Sequence, residues 1–273
     1  MTAAQPQLKV LSLGWGVQSW TLAAMVALGE LEPIDLAIHS DTTWERASTY
    51  QFAKEFTPWL QSHGITVTTV SNSKAARKIV DDYGGVFIPA YTINNGKRGQ
   101  LRRQCTGDWK IDPMRRHIAT ELKRRELTKT PGIVEQWLGI TIDEWQRAKD
   151  SNVKYIRHRF PLLEMSMSRS DCLAWLSRNN LPSSSKSACT FCPYHNRLTW
   201  EQMKRDNGAD WLQACDIDTR IRNKRPPSPL FVHSYAKPLT EVVTIPEDYG
   251  ATQLSFLDSD DNDAQCDSGY CFL

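Results

Sequence analysis

A short apolar strand that breaks at a glycine turn and runs straight into a helix is the feature that most restricts what this chain can become. Residues 8 to 13, Leu-Lys-Val-Leu-Ser-Leu, read as a buried strand, Gly14-Trp15-Gly16 turns it, and the apolar segment Ser19 to Leu28 continues as a helix. The rhythm then repeats. Residues 34 to 39 predict a second strand, Phe52, Phe56, Trp59 and Leu60 fall on one face of a following helix, and residues 65 to 70 predict a third strand. Strands alternating with amphipathic helices predict an α/β fold with a doubly wound, mostly parallel sheet, whose ligands sit at the carboxyl ends of the strands. The turn at 14 to 19 and Asp41 fall on that rim.

Past residue 84 the pattern changes. Asn94-Asn95-Gly96-Lys97 predicts a hairpin or long loop, residues 113 to 126 a basic helix, and residues 133 to 140 a fourth strand. Ser168 with Asp171 three residues later is a capping-box signature before a helix carrying Leu173, Trp175 and Leu176. The organisation expected is an α/β nucleotide-binding unit over 1–165, a helical cysteine-bearing unit over 166–257, and an acidic flexible tail over 258–273.

Formal charge is only +2, from 33 basic and 31 acidic residues, so the chain as a whole has no electrostatic pull toward nucleic acid or membrane and any anion site must be local. The first ten residues lack the charged start and apolar run of a signal peptide, and no stretch approaches the ~18 apolar residues of a membrane span. A cytoplasmic protein with no membrane partner is expected. In that reducing compartment seven cysteines favour metal or redox chemistry over a disulfide framework.

Ser12-Leu-Gly14-Trp-Gly16-Val-Gln18-Ser19 lets a backbone approach a phosphate, with N–H groups of the helix start and the Ser19 hydroxyl as donors. By residues alone, such a turn is more often only a turn. Asp41-Thr-Thr-Trp-Glu45 sits at the next strand end, where Asp41 either lines a pocket or caps the following helix. Cys105, far upstream of Cys189-Thr-Phe-Cys192-Pro-Tyr-His195, makes a thiolate set with a Cys-x-x-Cys turn, which suits zinc, with His195 as a fourth ligand, or an iron–sulfur cluster. Cys172 and Cys215 read as buried core residues. Basic residues crowd the segment from Lys97 to Arg125; Arg102, Arg103, Lys110, Arg115 and Arg116 suit a phosphate or sulfate dianion, and a nucleic acid is an alternative user of the same patch.

With these motifs in order, the chain resembles the phosphoadenosine-phosphosulfate (PAPS) reductase family, within the PP-loop adenine-nucleotide superfamily, in its phage and bacterial kind with iron–sulfur cysteines. Ser12 to Ser19 resembles the modified PP-loop, and Val17 and Gln18 stand where pyrophosphatases of the superfamily carry lysine and aspartate. The resemblance implies that Ser12, Gly14, Gly16, Gln18, Ser19, Asp41 and Glu45 bind an adenine nucleotide (APS, PAPS or ATP) and that Arg102, Arg103, Lys110, Arg115 and Arg116 hold its phosphate or sulfate. It also implies a [4Fe-4S] cluster, with zinc as the alternative, on Cys105, Cys189 and Cys192, with Asp143 on the catalytic rim. Thr106 replaces the second cysteine of a pair usual in the iron–sulfur reductases, which leaves three cysteine ligands, as in tRNA-thiolating PP-loop enzymes. The leading expectation is thiol-dependent reduction of APS or PAPS to sulfite, with Cys266 or Cys271 of the tail as nucleophile and a reductant such as thioredoxin as partner. The alternatives are ATP-dependent thiolation of tRNA or DNA and a non-catalytic nucleotide-sensing module.

Overall fold

The computed structural model describes residues 5–72, Ile79 and residues 85–244. Cys266, Cys271 and the acidic tail lie outside the described residues. Five strands, β1 (Leu8–Ser12), β2 (Leu36–Asp41), β3 (Val67–Ser71), β6 (Val134–Trp137) and β7 (Ile156–Arg159), form an all-parallel sheet in the order β3-β2-β1-β6-β7. The order reverses at β1, so the crevice between the carboxyl ends of β1 and β6 is the topological switch point where such sheets bind ligands.

Alternation along the strands explains why helices cover both faces. Leu11, Ala37 and Trp137 turn to one side and pack with α1 (Val17–Ala27) and α2 (Ala47–Ser62). Val10, Leu36, Ile38 and Val134 turn to the other and pack against Met114, Ile118 and Leu122 of α3 (Asp112–Arg124). Helix α4 (Arg169–Arg178) starts at the expected capping box: the Ser168 hydroxyl accepts from the Asp171 N–H at 3.1 Å, and the Ser168 N–H donates to Asp171 Oδ2 at 2.8 Å. Its Cys172, Trp175 and Leu176 join α1 in the core, so the boundary expected at 166 falls inside the α/β layer. Burial pushes the Cys172 thiol up to about 11, in keeping with a core cysteine.

A second, antiparallel sheet in the order β5-β4-β8 joins β4 (Tyr91–Asn94), β5 (Lys97–Gln100) and β8 (Leu230–Phe231). Asn95 and Gly96 both take positive φ, 48° and 75°, the primed turn that an Asn-Gly pair favours. This sheet shares a core with α5 (Arg197–Asp206) and α6 (Ala209–Ile221), through Trp200, Trp211, Ile217 and Phe191. No helix among the described residues is long and apolar enough to cross a membrane.

Trp20 is the hinge of the first core. It is fully buried, its indole N–H donates to the Pro182 carbonyl at 3.0 Å, and its ring lies 4.9 to 5.5 Å from those of Phe56, Phe52 and Trp59. Trp20→Ala should lower stability by about 3–5 kcal/mol, read as a shift of the urea midpoint at unchanged slope.

Candidate functional site

The Gly14–Ser19 turn closes β1 and feeds α1 directly at the switch point. Trp15, not a glycine, takes the left-handed conformation, with φ 60°, and its indole is fully buried beside Trp20 and Phe52, which offsets the backbone cost of about 1–3 kcal/mol. Gly16 is the extended N-cap of α1 with φ −80°, and α1 has neither a side-chain cap nor an acidic first turn. Its amide end therefore offers a positive dipole end to an anion at the rim. The Ser19 hydroxyl donates to the Gly16 carbonyl and accepts from the Gly14 N–H, both at 3.2 Å, so it staples the turn. Ser12 lies beneath the rim, buried, donating to Met114 Sδ and accepting from Gln136.

The loop after β6 presses on this turn. A Cβ on Gly139 would stand 2.8 Å from the Ser19 amide nitrogen and 3.1 Å from Gln18 backbone carbon, so glycine is required by close approach. Asp143, exposed in the 3-10 segment Ile142–Arg147, accepts the Arg169 N–H at 2.6 Å, while the Arg169 guanidinium donates to Gln18 Oε1 at 3.4 Å. Arg169 is a rim cation that sequence reasoning missed, because nothing local in the sequence marks a helix start as the neighbour of a loop 150 residues earlier.

At the end of β2, Asp41 Oδ1 accepts from the Thr43 N–H and the Tyr50 hydroxyl, each at 2.7 Å, and does not cap α2, whose N-cap is Arg46. Thr42 Oγ1 lies 3.2 Å from Cys189 Sγ, and Glu45 pairs with Cys189 in an isolated antiparallel bridge. The Glu45 carboxylate is buried and meets Lys110 Nζ at 3.3 Å and the Ser187 hydroxyl at 3.4 Å. Glu45 and Lys110, placed apart in sequence, join each other here.

Cys105, Cys189 and Cys192 line one recess, walled by Ile88, Trp109 and Phe191 and edged by Thr42, Arg103 and Lys110. Cys105 enters through the π-helical turn Thr106–Ile111; Cys189 and Cys192 are held by the Cys189 carbonyl accepting the Cys192 N–H at 3.0 Å. Burial, and next the Glu45 charge, hold the Cys189 thiol well above its usual range, while Lys110 opposes them. The donor chemistry fits a thiolate-bound group, and two recess residues carry orphaned donors, the Thr106 hydroxyl and the Trp109 indole N–H. The thiols are not drawn into a ligand cluster: among the described residues no three His, Cys, Asp or Glu side chains are grouped to hold a metal ion. His195 stands outside the recess. Its Nε2–H donates to the Cys189 carbonyl at 2.9 Å, its ring packs edge-on to Trp200, and burial, with nearby Lys186 and Arg46, pushes it down to about 3.

The other expected anion residues have contacts or exposure of their own. Arg103 lies over the Tyr194 ring at 5.3 Å, Arg115 on α3 bonds Asn152, and Arg102 and Arg116 are exposed.

Lys110→Met should leave Glu45 as an unpaired buried charge and cost about 3–5 kcal/mol in chemical denaturation, and Glu45→Leu added to it should recover most of the loss. Additive losses in the double variant would show that the pair does not act as a unit.

No family model and no curated protein matches the chain. Among solved structures it is similar to a phosphoadenylyl-sulfate reductase from Candida auris in a phosphate complex, at 14% identity and TM-score 0.41 over 66% of this chain and 76% of that one. It is also similar to the U34-tRNA thiolase NcsA from Methanococcus maripaludis with its [4Fe-4S] cluster, at 14% identity and TM-score 0.37 over 81% of this chain and 68% of that one.

Proposed function

We propose that this chain is a nucleotide-dependent sulfur-transfer enzyme of the PP-loop kind, binding ATP over the Gly14–Ser19 turn and handling sulfur at Cys105, Cys189 and Cys192. The observation that carries the reading is that three thiols from segments far apart in sequence line one recess, tied through Thr42 and Glu45 to the rim strand beside β1. Backbone N–H groups at the start of α1 hold phosphate oxygens, and Arg169 adds charge next to Gln18. Gly139 lets the β6 loop close against the turn.

The reaction balances without a net oxidant. An acceptor oxygen attacks the α-phosphorus, forming an O–P bond as the bond to pyrophosphate breaks. A sulfur nucleophile at the sulfide level, from an external donor, then forms a C–S bond as the C–O bond breaks and AMP leaves. Cys105, Cys189 and Cys192 would hold a [4Fe-4S] cluster, which, with only three protein ligands, supplies an iron open to sulfur.

Reduction of APS or PAPS is the second reading. The uncapped start of α1 suits the nucleotide's anionic group, but Lys110 pairs with Glu45 and Arg115 bonds Asn152. Its nucleophile, Cys266 or Cys271, falls outside the described residues, and its partner is a thiol reductant such as thioredoxin.

Incubated with ATP, a sulfide donor and tRNA or single-stranded DNA, the protein should release pyrophosphate only when the acceptor is present. Sulfite formed from APS or PAPS, and abolished by removing residues 264–273, would overturn this in favour of reduction. Anaerobic preparations should carry about four iron atoms per chain, lost in Cys189→Ala and kept in Cys172→Ala; one zinc and no iron would remove the cluster. Gly139→Ala should weaken ATP binding at least about tenfold, roughly 1.4 kcal/mol, in calorimetry, with an unchanged far-ultraviolet spectrum.

A further inference from the structure

Beside the thiol recess, and sharing Pro193 and Tyr194 with it, opens a larger cleft of about 430 Å3 between the small sheet, the Cys-x-x-Cys segment and α5. Its walls carry the rings of Tyr91, Tyr194, Trp200 and Tyr235, with His195 and His233, among polar residues such as Asn196 and Ser234. Trp200 is core, but Tyr235 is 57% exposed. It is nevertheless held in place. The Tyr235 N–H donates to His233 Nδ1 at 3.2 Å, and its ring stands edge-on to the His233 ring at 4.9 Å. The Arg98 guanidinium lies 5.8 Å from the Tyr235 ring centroid.

A cation stands beside the exposed ring. Arg98 and Lys97 sit on the exposed β4–β5 hairpin, whereas Glu201 is buried and meets Arg197 at 3.6 Å. Ordered rings interleaved with guanidinium groups are what unstacked bases and their phosphates require: a flat face to stack on and cations along the backbone. A duplex, whose bases are already stacked, gains nothing from such a ring.

We propose that this cleft binds an unpaired base of a single-stranded nucleic acid, stacked on Tyr235 with its phosphate toward Arg98, so that the base's edge reaches the Cys192 side of the thiol recess. The shared wall supports the adjacency: Pro193 and Tyr194, which follow Cys192 directly, line both the thiol recess and the cleft. The placement names the acceptor of the sulfur-transfer reading and rests on it, while base binding itself needs neither ATP nor sulfur.

Fluorescence anisotropy of the full chain with labelled single-stranded RNA and DNA oligonucleotides, without ATP, tests the cleft directly. Saturable binding is expected, with duplex competing poorly. Tyr235→Ala should weaken it about tenfold, Tyr235→Phe should restore it, and Arg98→Ala should weaken it while flattening the salt dependence. The RNA and DNA arms identify the natural strand. No saturable binding, or binding untouched by Tyr235→Ala and Arg98→Ala, overturns the proposal, as does a polypeptide acceptor. Two outcomes separate it from the sulfur reading. Oligonucleotide binding that keeps this pattern in a protein giving no thiolated product sinks only the chemistry. Thiolation with unchanged KM for the acceptor in Tyr235→Ala sinks only the cleft.

Discussion

A single buried ion pair fixes how the rim of the parallel sheet meets the cysteine segment. Glu45 follows β2, Lys110 lies in the π-helical turn Thr106–Ile111 that Cys105 precedes, and Ser187 precedes Cys189, so one carboxylate reaches into all three segments. Backbone bonds run beside it: the Thr190 N–H donates to the Trp44 carbonyl at 2.8 Å, and the Arg46 N–H to the Ala188 carbonyl at 3.3 Å. Two charges taken out of water gain little net stability over an apolar pair. What the pair gives is register, because a displaced partner leaves an uncompensated charge. The thiols therefore stand beside the rim because a polar contact, not a hydrophobic one, selects that alignment.

The parallel sheet was legible because its signals are local. The strand starting at Leu8, the helix face of Phe52 and Phe56, the Asn-Gly hairpin and the Ser168 capping box each depend on residues within one element, and each appears where its pattern predicts. Boundaries moved: β2 begins at Leu36 and β6 ends at Trp137, since hydrogen-bond register with neighbouring strands decides ends that apolar runs cannot. β7 had no clear pattern, because Arg157 and Arg159 on it answer Glu135 on β6 rather than marking a buried run.

The candidate site's residues could be named from the sequence, but not the partners they hold. Ser12, Ser19, Glu45 and Lys110 stand on or next to the rim, yet all four hold protein atoms to protein atoms. Near a binding rim the same polar types serve both purposes: the amides meant for a ligand must first be held still by hydroxyls and charges that look identical in sequence. Only the partner tells them apart, and for Lys110 the partner is 65 positions away. Arg169 shows the converse, since a helix start packed on α1 brings a cation to Gln18 without any motif to announce it.

The segment from Cys189 to His195 faces two compartments at once, and its residue order explains how. Cys189 and Cys192 open on the recess, Pro193 and Tyr194 form the shared wall, and His195 lines the cleft while its Nε2–H ties back to the Cys189 carbonyl. A turn of this length cannot move one side without the other. The low position of His195, set chiefly by burial, keeps the ring neutral across the ordinary pH range, so that tie is not a switch. Whatever occupies the cleft therefore meets a wall whose opposite side is already fixed by the rim of the sheet, and the distance from cleft to thiols is set by folding rather than by binding.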